Sequence, residues 1–302
     1  MRIVHTAAEL ADAVGVARAA GKLIGFVPTM GALHEGHLSL VRLARKHADF
    51  VVVSIFVNPL QFGAGEDFDK YPRTLEADAQ ALAALPADQG AALIFAPSVD
   101  EIYPGGDRSI TQHAGRAGEV FEGASRPGHF DGMLTVVDRL FTLVKPDLAV
   151  FGAKDAQQVF LVRQLAARVH PSLQIFEAPT VRESSGLASG LAMSSRNRYL
   201  SEADRATATA IYRALQAAAT RAESGATPAE ALATARELLA QTPSVRLDYL
   251  AAVDANTFEN LETSNFETIE NRAGEAILLI AANVAGTRLI DNLRTRFSGA
   301  KA

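Results

Sequence analysis

The first half of the chain alternates short apolar runs with longer amphipathic segments. The apolar runs are continuous and rich in the β-branched and aromatic residues that favour strands. Continuous runs of this length are typical of strands buried on both faces of a parallel sheet. They are LIGFV at 23–27, FVVVSIFV at 50–57, ALIFA at 92–96, LAVFG at 148–152 and LQIFEA at 173–178.

Helical periodicity separates most of these predicted strands. It covers residues 38–47, 75–85, 133–144 and 157–169. Strands that alternate with helices in this way predict an α/β fold with a doubly wound parallel sheet. The stretch 97–126 has several glycines and no clear periodicity, which is typical of a functional or mobile loop.

The pattern changes after about residue 183. Two helices are predicted to begin near Ser201 and Thr227, and the second has the Thr-Pro-x-Glu start of a capping box. Residues 245–254 then alternate with the period of a half-buried strand, and 276–284 form a continuous apolar run. These elements predict a smaller α+β domain in the second part of the chain.

The predicted domain border lies at the Ser/Gly-rich segment SSGLASG, residues 184–190, which we interpret as a hinge. Residues 1–183 would form the α/β domain, and residues 184–302 would form the α+β domain. A length of 302 residues agrees with two domains.

Composition narrows the function classes. With 29 basic and 34 acidic residues the net charge is −5, which offers no basic face to a nucleic acid. Cysteine is absent, which excludes disulfides and thiolate zinc sites. The N-terminal residues do not resemble a signal peptide, and no run approaches the roughly 20 apolar residues of a membrane span. We therefore expect a soluble, cytoplasmic protein that binds neither nucleic acid nor membranes.

Two histidines follow the first predicted strand of the sheet. His34 and His37 flank the expected start of a helix near Gly36, where unpaired backbone N–H groups and the helix dipole favour an anion. Two imidazoles there could donate hydrogen bonds to phosphate oxygens. The alternatives are capping or surface histidines, or half of a zinc site, for which no third ligand is evident nearby.

These histidines belong to a longer motif. The tetrapeptide His34-Glu35-Gly36-His37 resembles the HxGH motif of the nucleotidylyltransferase superfamily, which has a Rossmann-like fold. The string PTMGALHEGH resembles the pantothenate synthetases, the pantoate–β-alanine ligase family. Other segments agree with that family in the right order along the chain. They are VSIFVNPLQF and EDFDKYPRT within 53–74, EGASRPGHF at 122–130, FGAKDAQQ at 151–158, MSSRN at 193–197 and TRLIDN near the end.

The resemblance implies a reaction. Members of the family form an acyl adenylate from ATP and pantoate, release pyrophosphate, and then let the amine of β-alanine displace AMP to give pantothenate. The family uses Mg²⁺ with ATP, and Mg²⁺ relies largely on substrate phosphates, so no protein metal site is expected. The resemblance also suggests a homodimer. It implies that residues 1–183 bind the nucleotide and pantoate and that residues 184–302 close over the active site.

The resemblance further implies site residues. Catalytic roles fall to His34, His37, Lys154 and Arg196. Pantoate would contact Met30, Asn58, Gln61 and Gln158. ATP would contact Pro28, Thr29, Met30, His37, Gly152, Lys154, Asp155, Val181, Met193, Ser194, Ser195 and Arg196. Arg126 is a further possible contact of substrate or phosphate.

The chain departs from the family pattern at four places. Ala153 stands where a glutamate is usual, and Ala156 stands where an aromatic residue is usual. Asp131 replaces an arginine, which would weaken nucleotide binding if its side chain points inward. A repeated GLA before MSSRN suggests a four-residue insertion that could shift the reach of the serine–arginine segment.

Two other functions remain open at this point. One is a nucleotidylyltransferase that transfers a nucleotide to a phosphorylated acceptor and stops there. The other is a nucleotide-binding regulator in which the departures from the family have abolished catalysis.

Overall fold

A computed structural model describes residues 1–63, 68–262 and 274–297. They fall into two compact units, which are Met1–Ala153 with Gln157–Pro179, and Lys154–Ala156 with Thr180–Ala302. The domain border predicted after residue 183 and the roles given to the two domains stay predictions. Glu66 and Asp67 of the EDFDKYPRT segment lie outside the described residues.

The first unit contains a six-stranded parallel sheet in the order β1-β4-β3-β2-β5-β6. The predicted doubly wound parallel sheet is confirmed, and all five predicted strands are present; β1 at the chain start was not predicted. The strands are β1 (Arg2–Val4), β2 (Ile24–Thr29), β3 (Phe50–Ile55), β4 (Leu93–Phe95), β5 (Leu148–Gly152) and β6 (Gln174–Ala178).

Helices connect these strands. The four predicted helices are confirmed. The helix α2 begins beside the expected start near Gly36, α6 begins four residues earlier than expected, and α1 was missed. The helices are α1 (Ala7–Ala19), α2 (Glu35–His47), α3 (Leu75–Ala83), α4 (Val99–Ile102), α5 (Glu122–Ser125), α6 (His129–Val144) and α7 (Ala156–Val169). Single 3-10 turns lie at Pro59–Gln61, Pro104–Gly106, Gly115–Gly118 and Ala153–Asp155.

The continuous apolar runs produce a core on each face of this sheet. Successive strand residues point to opposite faces, so Phe26 and Val52 join one buried cluster while Val27 and Val53 join another. All four side chains are fully buried. Because both faces of these strands are buried, successive residues must all be apolar. The strands therefore do not alternate between apolar and polar residues.

The sheet reverses its strand order between β2 and β5. From β2 the chain continues to β3 on one side, whereas β5 continues to β6 on the other side. Ligands of open α/β sheets bind outside the carboxyl ends of the strands at such a point. The carboxyl ends here are Thr29 and Gly152.

The second unit is built on a three-stranded antiparallel sheet, β7-β8-β9, with two long helices, so the predicted smaller α+β fold is confirmed. TRLIDN lies in β9, a strand that the sequence pattern did not predict. The elements are α8 (Glu202–Glu223), α9 (Pro228–Ala240), β7 (Val245–Asp254), β8 (Gly274–Val284) and β9 (Thr287–Phe297), with 3-10 turns at Gly186–Ala188 and Ser195–Tyr199.

A buried ion pair holds two distant segments of the second unit together. The guanidinium of Arg182 donates to both carboxylate oxygens of Asp291, at 2.6 and 2.9 Å. Arg182 also lies over the ring of Tyr212, 3.6 Å from its centroid. The side chain of Asp291 is only 4% exposed, so the pair is almost entirely shielded from water.

We expect Asp291→Asn to destabilise the second unit by about 3 kcal/mol, because it leaves the guanidinium of Arg182 without its buried counter-charge. Thermal unfolding followed by circular dichroism measures the loss. Asp248→Asn is the matched control, since Asp248 pairs with Arg288 in the same sheet but is 42% exposed. The control should cost less than about 1 kcal/mol. Equal losses of stability in the two variants would contradict the expectation that the buried ion pair contributes more than the exposed one.

Across residues 1–63, 68–262 and 274–297, the helices are too short or too polar to cross a membrane.

Candidate active site

The turn between β2 and α2 has a left-handed backbone at two successive residues. Gly31 has φ +85° and Ala32 has φ +51°. The hydroxyl of Thr29 donates to the carbonyl of Ser54 at 2.7 Å and accepts from the N–H of Gly31 at 3.2 Å. The threonine therefore fixes the start of the turn against the neighbouring strand β3.

A buried carboxylate fixes the rest of this turn. Asp78 in α3 accepts hydrogen bonds from the N–H groups of Ala32 and Leu33, at 3.0 and 2.7 Å. Asp78 is only 2% exposed. The sequence analysis missed Asp78, because a lone aspartate in a helical pattern gives no sign of such a role.

His34 and His37 cap α2 reciprocally. His34 is the N-cap residue, and its Nδ1 accepts from the N–H of Gly36 at 3.1 Å. The Nδ1 of His37 accepts from the N–H of His34 at 3.3 Å. The two ring centroids are 4.1 Å apart. The two imidazoles are therefore neighbours held by the same helix start, and the capping interpretation is confirmed.

This capping determines which ring nitrogen carries the proton. A backbone N–H can only donate, so each Nδ1 accepts, and in the neutral ring the proton lies on Nε2. The expectation of unpaired N–H groups at this helix start is wrong for Gly36, since His34 accepts from it. In the neutral ring, the Nε2–H of each imidazole is therefore a hydrogen-bond donor at this helix start.

Three of the predicted pantoate contacts lie together after β2 and β3. The amide nitrogen of Gln61 is 2.9 Å from the Sδ of Met30, and its amide oxygen accepts from Asn58 at 3.2 Å. Asn58 also donates to the carbonyl of Gly132 at 3.0 Å. Asn58 and Gln61 are 1% and 7% exposed, so both amides are held in fixed orientations.

The hydroxyl of Tyr103 orients Asn58. It donates to the Oδ1 of Asn58 at 2.6 Å, which leaves the Nδ2 of Asn58 to face Gln61. Tyr103 is fully buried, and this burial raises the pKa of its phenol, so the hydroxyl keeps its proton. The sequence analysis did not identify Tyr103, because it lies in the stretch without periodicity.

Arg126 has a supporting role in the structure. Its guanidinium donates to the backbone carbonyl of Gln61 at 3.3 Å and to the Nε2 of His129 at 3.0 Å. The Nδ1 of His129 lies 2.8 Å from the same carbonyl. The segment RPGHF therefore holds the main chain of Gln61 in place through hydrogen bonds.

The two adjacent glutamines of α7 differ in their surroundings. Gln157 is 4% exposed, and its amide donates to the carbonyls of Ala117 and Val120 and accepts from the N–H of Glu122. Gln157 thus has a structural role. Gln158 is half-buried, and its contact with pantoate stays a prediction.

A cavity of ≈ 430 Å³ opens beside Met30, at the carboxyl ends of β3 and β4. Phe56, Val57 and Val99 supply apolar walls, and Arg73 is the cationic residue of its lining. This volume is in the range of small-molecule sites.

Lys154 and Asp155 form the 3-10 turn that follows β5 and are grouped with the second unit. Their side chains form an ion pair at 3.7 Å, in which the lysine is 21% and the aspartate 49% exposed. The amide of Asn292, in TRLIDN, donates to the carbonyl of Lys154 at 2.8 Å. The strand β9 therefore fixes the main chain that carries the predicted nucleotide contacts.

The remaining predicted ATP contacts surround a closed loop in the second unit. Met193 N–H donates to the carbonyl of Val181 at 2.9 Å, and Glu183 pairs with both Gly190 and Leu191. Ser194 caps the following 3-10 turn by accepting from the N–H of Arg196 at 3.2 Å. Ser195 and Arg196 are half-buried in that turn.

The residues predicted to be an insertion, 186–189, lie in the exposed tip of this loop, where Leu187 is 68% exposed. Backbone hydrogen bonds of Glu183 with Gly190 and Leu191 close the loop behind them. We expect deletion of residues 186–189 to leave the melting temperature nearly unchanged and the overall rate within about twofold, as loop shortening usually does. A tenfold loss of rate in the steady-state assay would show that the insertion matters.

Asp131, which stands where the family resemblance predicts an arginine, forms local hydrogen bonds. The carboxylate of Asp131 accepts from the N–H of Ala114 at 2.8 Å and lies 2.9 Å from the Nδ1 of His113. Asp131 is therefore bound to the segment before α5.

No group of three or more His, Cys, Asp or Glu side chains suited to a metal ion occurs within the described ranges of the chain.

Comparison with known proteins identifies the family. The model of the family pantoate-beta-alanine ligase matches residues 2–294. The pantothenate synthetase of Acidothermus cellulolyticus is 51% identical over 90% of this chain and 86% of that protein. A pantothenate synthetase of Pseudomonas fluorescens is 48% identical over 97% of both chains.

Solved structures agree with the sequence comparison. The pantothenate synthetase of Thermus thermophilus has a TM-score of 0.84 and 46% identity, with 97% of this chain and 99% of that chain covered. The pantoate-beta-alanine ligase of Francisella tularensis, solved as a complex with beta-gamma ATP and beta-alanine, has a TM-score of 0.73, 33% identity and 97% coverage of both chains. This chain belongs to the pantoate–β-alanine ligase family.

Proposed function

We propose that this ligase joins pantoate to β-alanine through a pantoyl adenylate. A carboxylate oxygen of pantoate attacks the α-phosphorus of ATP, and the bond to the β-phosphate breaks as pyrophosphate leaves with the electron pair. The amine of β-alanine then attacks the acyl carbon, the bond to AMP breaks, and the amine loses a proton. The products are pantothenate, AMP and pyrophosphate.

The paired imidazoles carry this proposal. Charge increases on the phosphate oxygens as the α–β bond breaks, and fixed donors that meet this charge lower the barrier. His34 and His37 present neighbouring Nε2–H groups, because backbone donors occupy both Nδ1 atoms. Since the capping fixes the rings before substrate arrives, little reorganisation is needed during the reaction.

The fixed amides would hold pantoate. The amide nitrogen of Gln61 carries two hydrogens. It contacts the sulfur of Met30 with one of them, so the other can donate to a hydroxyl or carboxylate oxygen of the substrate. Asn58 fixes the orientation of that amide. Gln158 is the proposed second amide, and Met30 would pack against the apolar part of the acid.

The remaining residues would bind ATP. Lys154 and Arg196 supply positive charge for the phosphates, and the serine hydroxyls of MSSRN supply neutral donors. Asp155 would accept from the ribose. Further contacts would come from Pro28, Thr29, Gly152, Val181, Met193, Ser194 and Ser195.

Magnesium would enter as part of the nucleotide substrate. Mg²⁺ retains several waters and binds phosphate oxygens readily, so the phosphates of ATP would supply most of its contacts in the site apart from those waters. The homodimer and the cytoplasmic location also stay predictions.

The decisive test is isotope exchange without β-alanine. If a pantoyl adenylate forms, labelled pyrophosphate should enter ATP whenever pantoate and Mg²⁺ are present. Omitting pantoate should abolish the exchange, and adding β-alanine should give AMP and pantothenate in equal amounts. Exchange that requires β-alanine would contradict a separate adenylate step, while exchange without pantoate would indicate a different acceptor.

A further inference from the structure

We propose that Asp78 is a positioning residue for His34 and His37, acting through the turn that leads into α2. The proposal rests on the proposed function, because it assumes that these imidazoles act on the phosphates of ATP. Asp78 itself would touch neither substrate. Its buried carboxylate would determine where the two rings stand.

The contacts of Asp78 are directed at the backbone before the histidines. Its two oxygens accept from the consecutive N–H groups of Ala32 and Leu33. Leu33 is followed directly by His34, the N-cap of α2. A shift of these two N–H groups would therefore move His34, which is the next residue. It would also move His37, which is joined to His34 by the reciprocal cap.

The turn needs this external support because of its conformation. Ala32 has φ +51°, a left-handed conformation that disfavours residues with a Cβ. Successive N–H groups in such a turn converge and form a natural binding place for an anion. Here the anion is the side chain of Asp78, which is 2% exposed. The convergent N–H groups of Ala32 and Leu33 thus bind a side chain of the protein itself and stabilise the turn.

A third donor fixes the carboxylate itself. The hydroxyl of Thr74, the N-cap residue of α3, donates to the Oδ2 of Asp78 at 3.2 Å. The backbone N–H of Asp78 also donates to the carbonyl of Thr74 at 2.9 Å. Both oxygens of Asp78 are therefore acceptors, which an asparagine cannot reproduce because its amide has one oxygen and one donor group.

The first experiment replaces Asp78 by Asn and measures pantoate-dependent pyrophosphate exchange. We expect kcat to fall about a hundredfold, as for a misplacement of catalytic groups by about 1 Å. The KM values for ATP and pantoate should change less than about threefold, since Gln61, Lys154 and Arg196 lie outside the turn that Asp78 supports. Asp88→Asn is the matched control, the same substitution at an exposed aspartate shortly after α3, and it should keep the wild-type rate.

A double variant separates positioning from a general effect. If Asp78 acts through the histidines, adding Asp78→Asn to His37→Ala should lower the rate much less than it lowers that of the wild type. A full multiplicative loss in the double variant would overturn the proposal. So would an Asp78→Asn protein with wild-type kcat.

Folding and the parent proposal are controlled separately. Circular dichroism melting tests whether Asp78→Asn folds. If it does not fold, Thr74→Val is the substitute, because it removes only the third donor to the carboxylate. This variant should reduce kcat about fivefold, in line with one lost hydrogen bond. Wild-type kcat in Thr74→Val would then overturn the inference. If His37→Ala itself keeps its rate, the proposed role of the histidines fails, whatever the Asp78 variant does.

Discussion

His37→Ala should lower the rate of pantoate-dependent pyrophosphate exchange about a thousandfold, the loss expected when one fixed donor to a developing charge is removed. The physical reason is that the Nε2–H of His37 is oriented before substrate binds, by the bond from the N–H of His34 to its Nδ1. Single-turnover measurement of AMP formation with saturating ATP and pantoate would isolate the chemical step.

Two further variants at this position separate capping from catalysis. His37→Asn places a carbonyl oxygen near the position of Nδ1 and should keep the helix cap while losing the Nε2 donor. His37→Gln places its amide nitrogen near the position of Nε2 and should recover part of the rate. His47→Ala, an exposed histidine at the other end of α2, is the control and should be fully active. A fast His37→Asn enzyme would contradict the assigned donor.

The second large effect is expected for Gly132→Ala, in the first turn of α6. A Cβ at this position would lie 2.0 Å from the carbonyl oxygen of Leu60 and 2.9 Å from the nitrogen of Gln61. The main chain must therefore move, at a cost of about 3 kcal/mol, the upper end for overpacking. Because the clash involves Gln61, we expect the KM for pantoate to rise as well as the melting temperature to fall.

Gly15→Ala is the matched control for this variant. Gly15 lies in α1 with an ordinary helical backbone. Apart from its chain neighbours and the backbone of its own helix, no atom in the described part of the chain comes within 4 Å of the place that a Cβ would take. Alanine there should stabilise the protein by about 0.5–1 kcal/mol without affecting KM. If Gly132→Ala lowers stability but leaves KM for pantoate unchanged, the proposed contact of Gln61 with pantoate loses its support.

Local patterns predicted the elements that dominate the fold. Strands buried on both faces need continuous apolar residues, and β2, β3 and β5 have them, so their positions were visible in the sequence. The short strand β1 and the strand β9 were missed, because β1 has three residues and β9 mixes polar and apolar residues. Their pairing partners, β4 and β8, stabilise them.

The ordered motifs were enough to recognise the family and to predict the residues of the candidate site. They could not show how those groups are supported, because the support comes from residues far apart along the chain. Asp78 meets the turn before His34 only when α3 packs on the sheet, and Tyr103 meets Asn58 only when the aperiodic stretch folds onto the sheet. A hydrogen bond needs a distance near 3 Å and a fixed direction, and between such distant residues only the tertiary structure sets both.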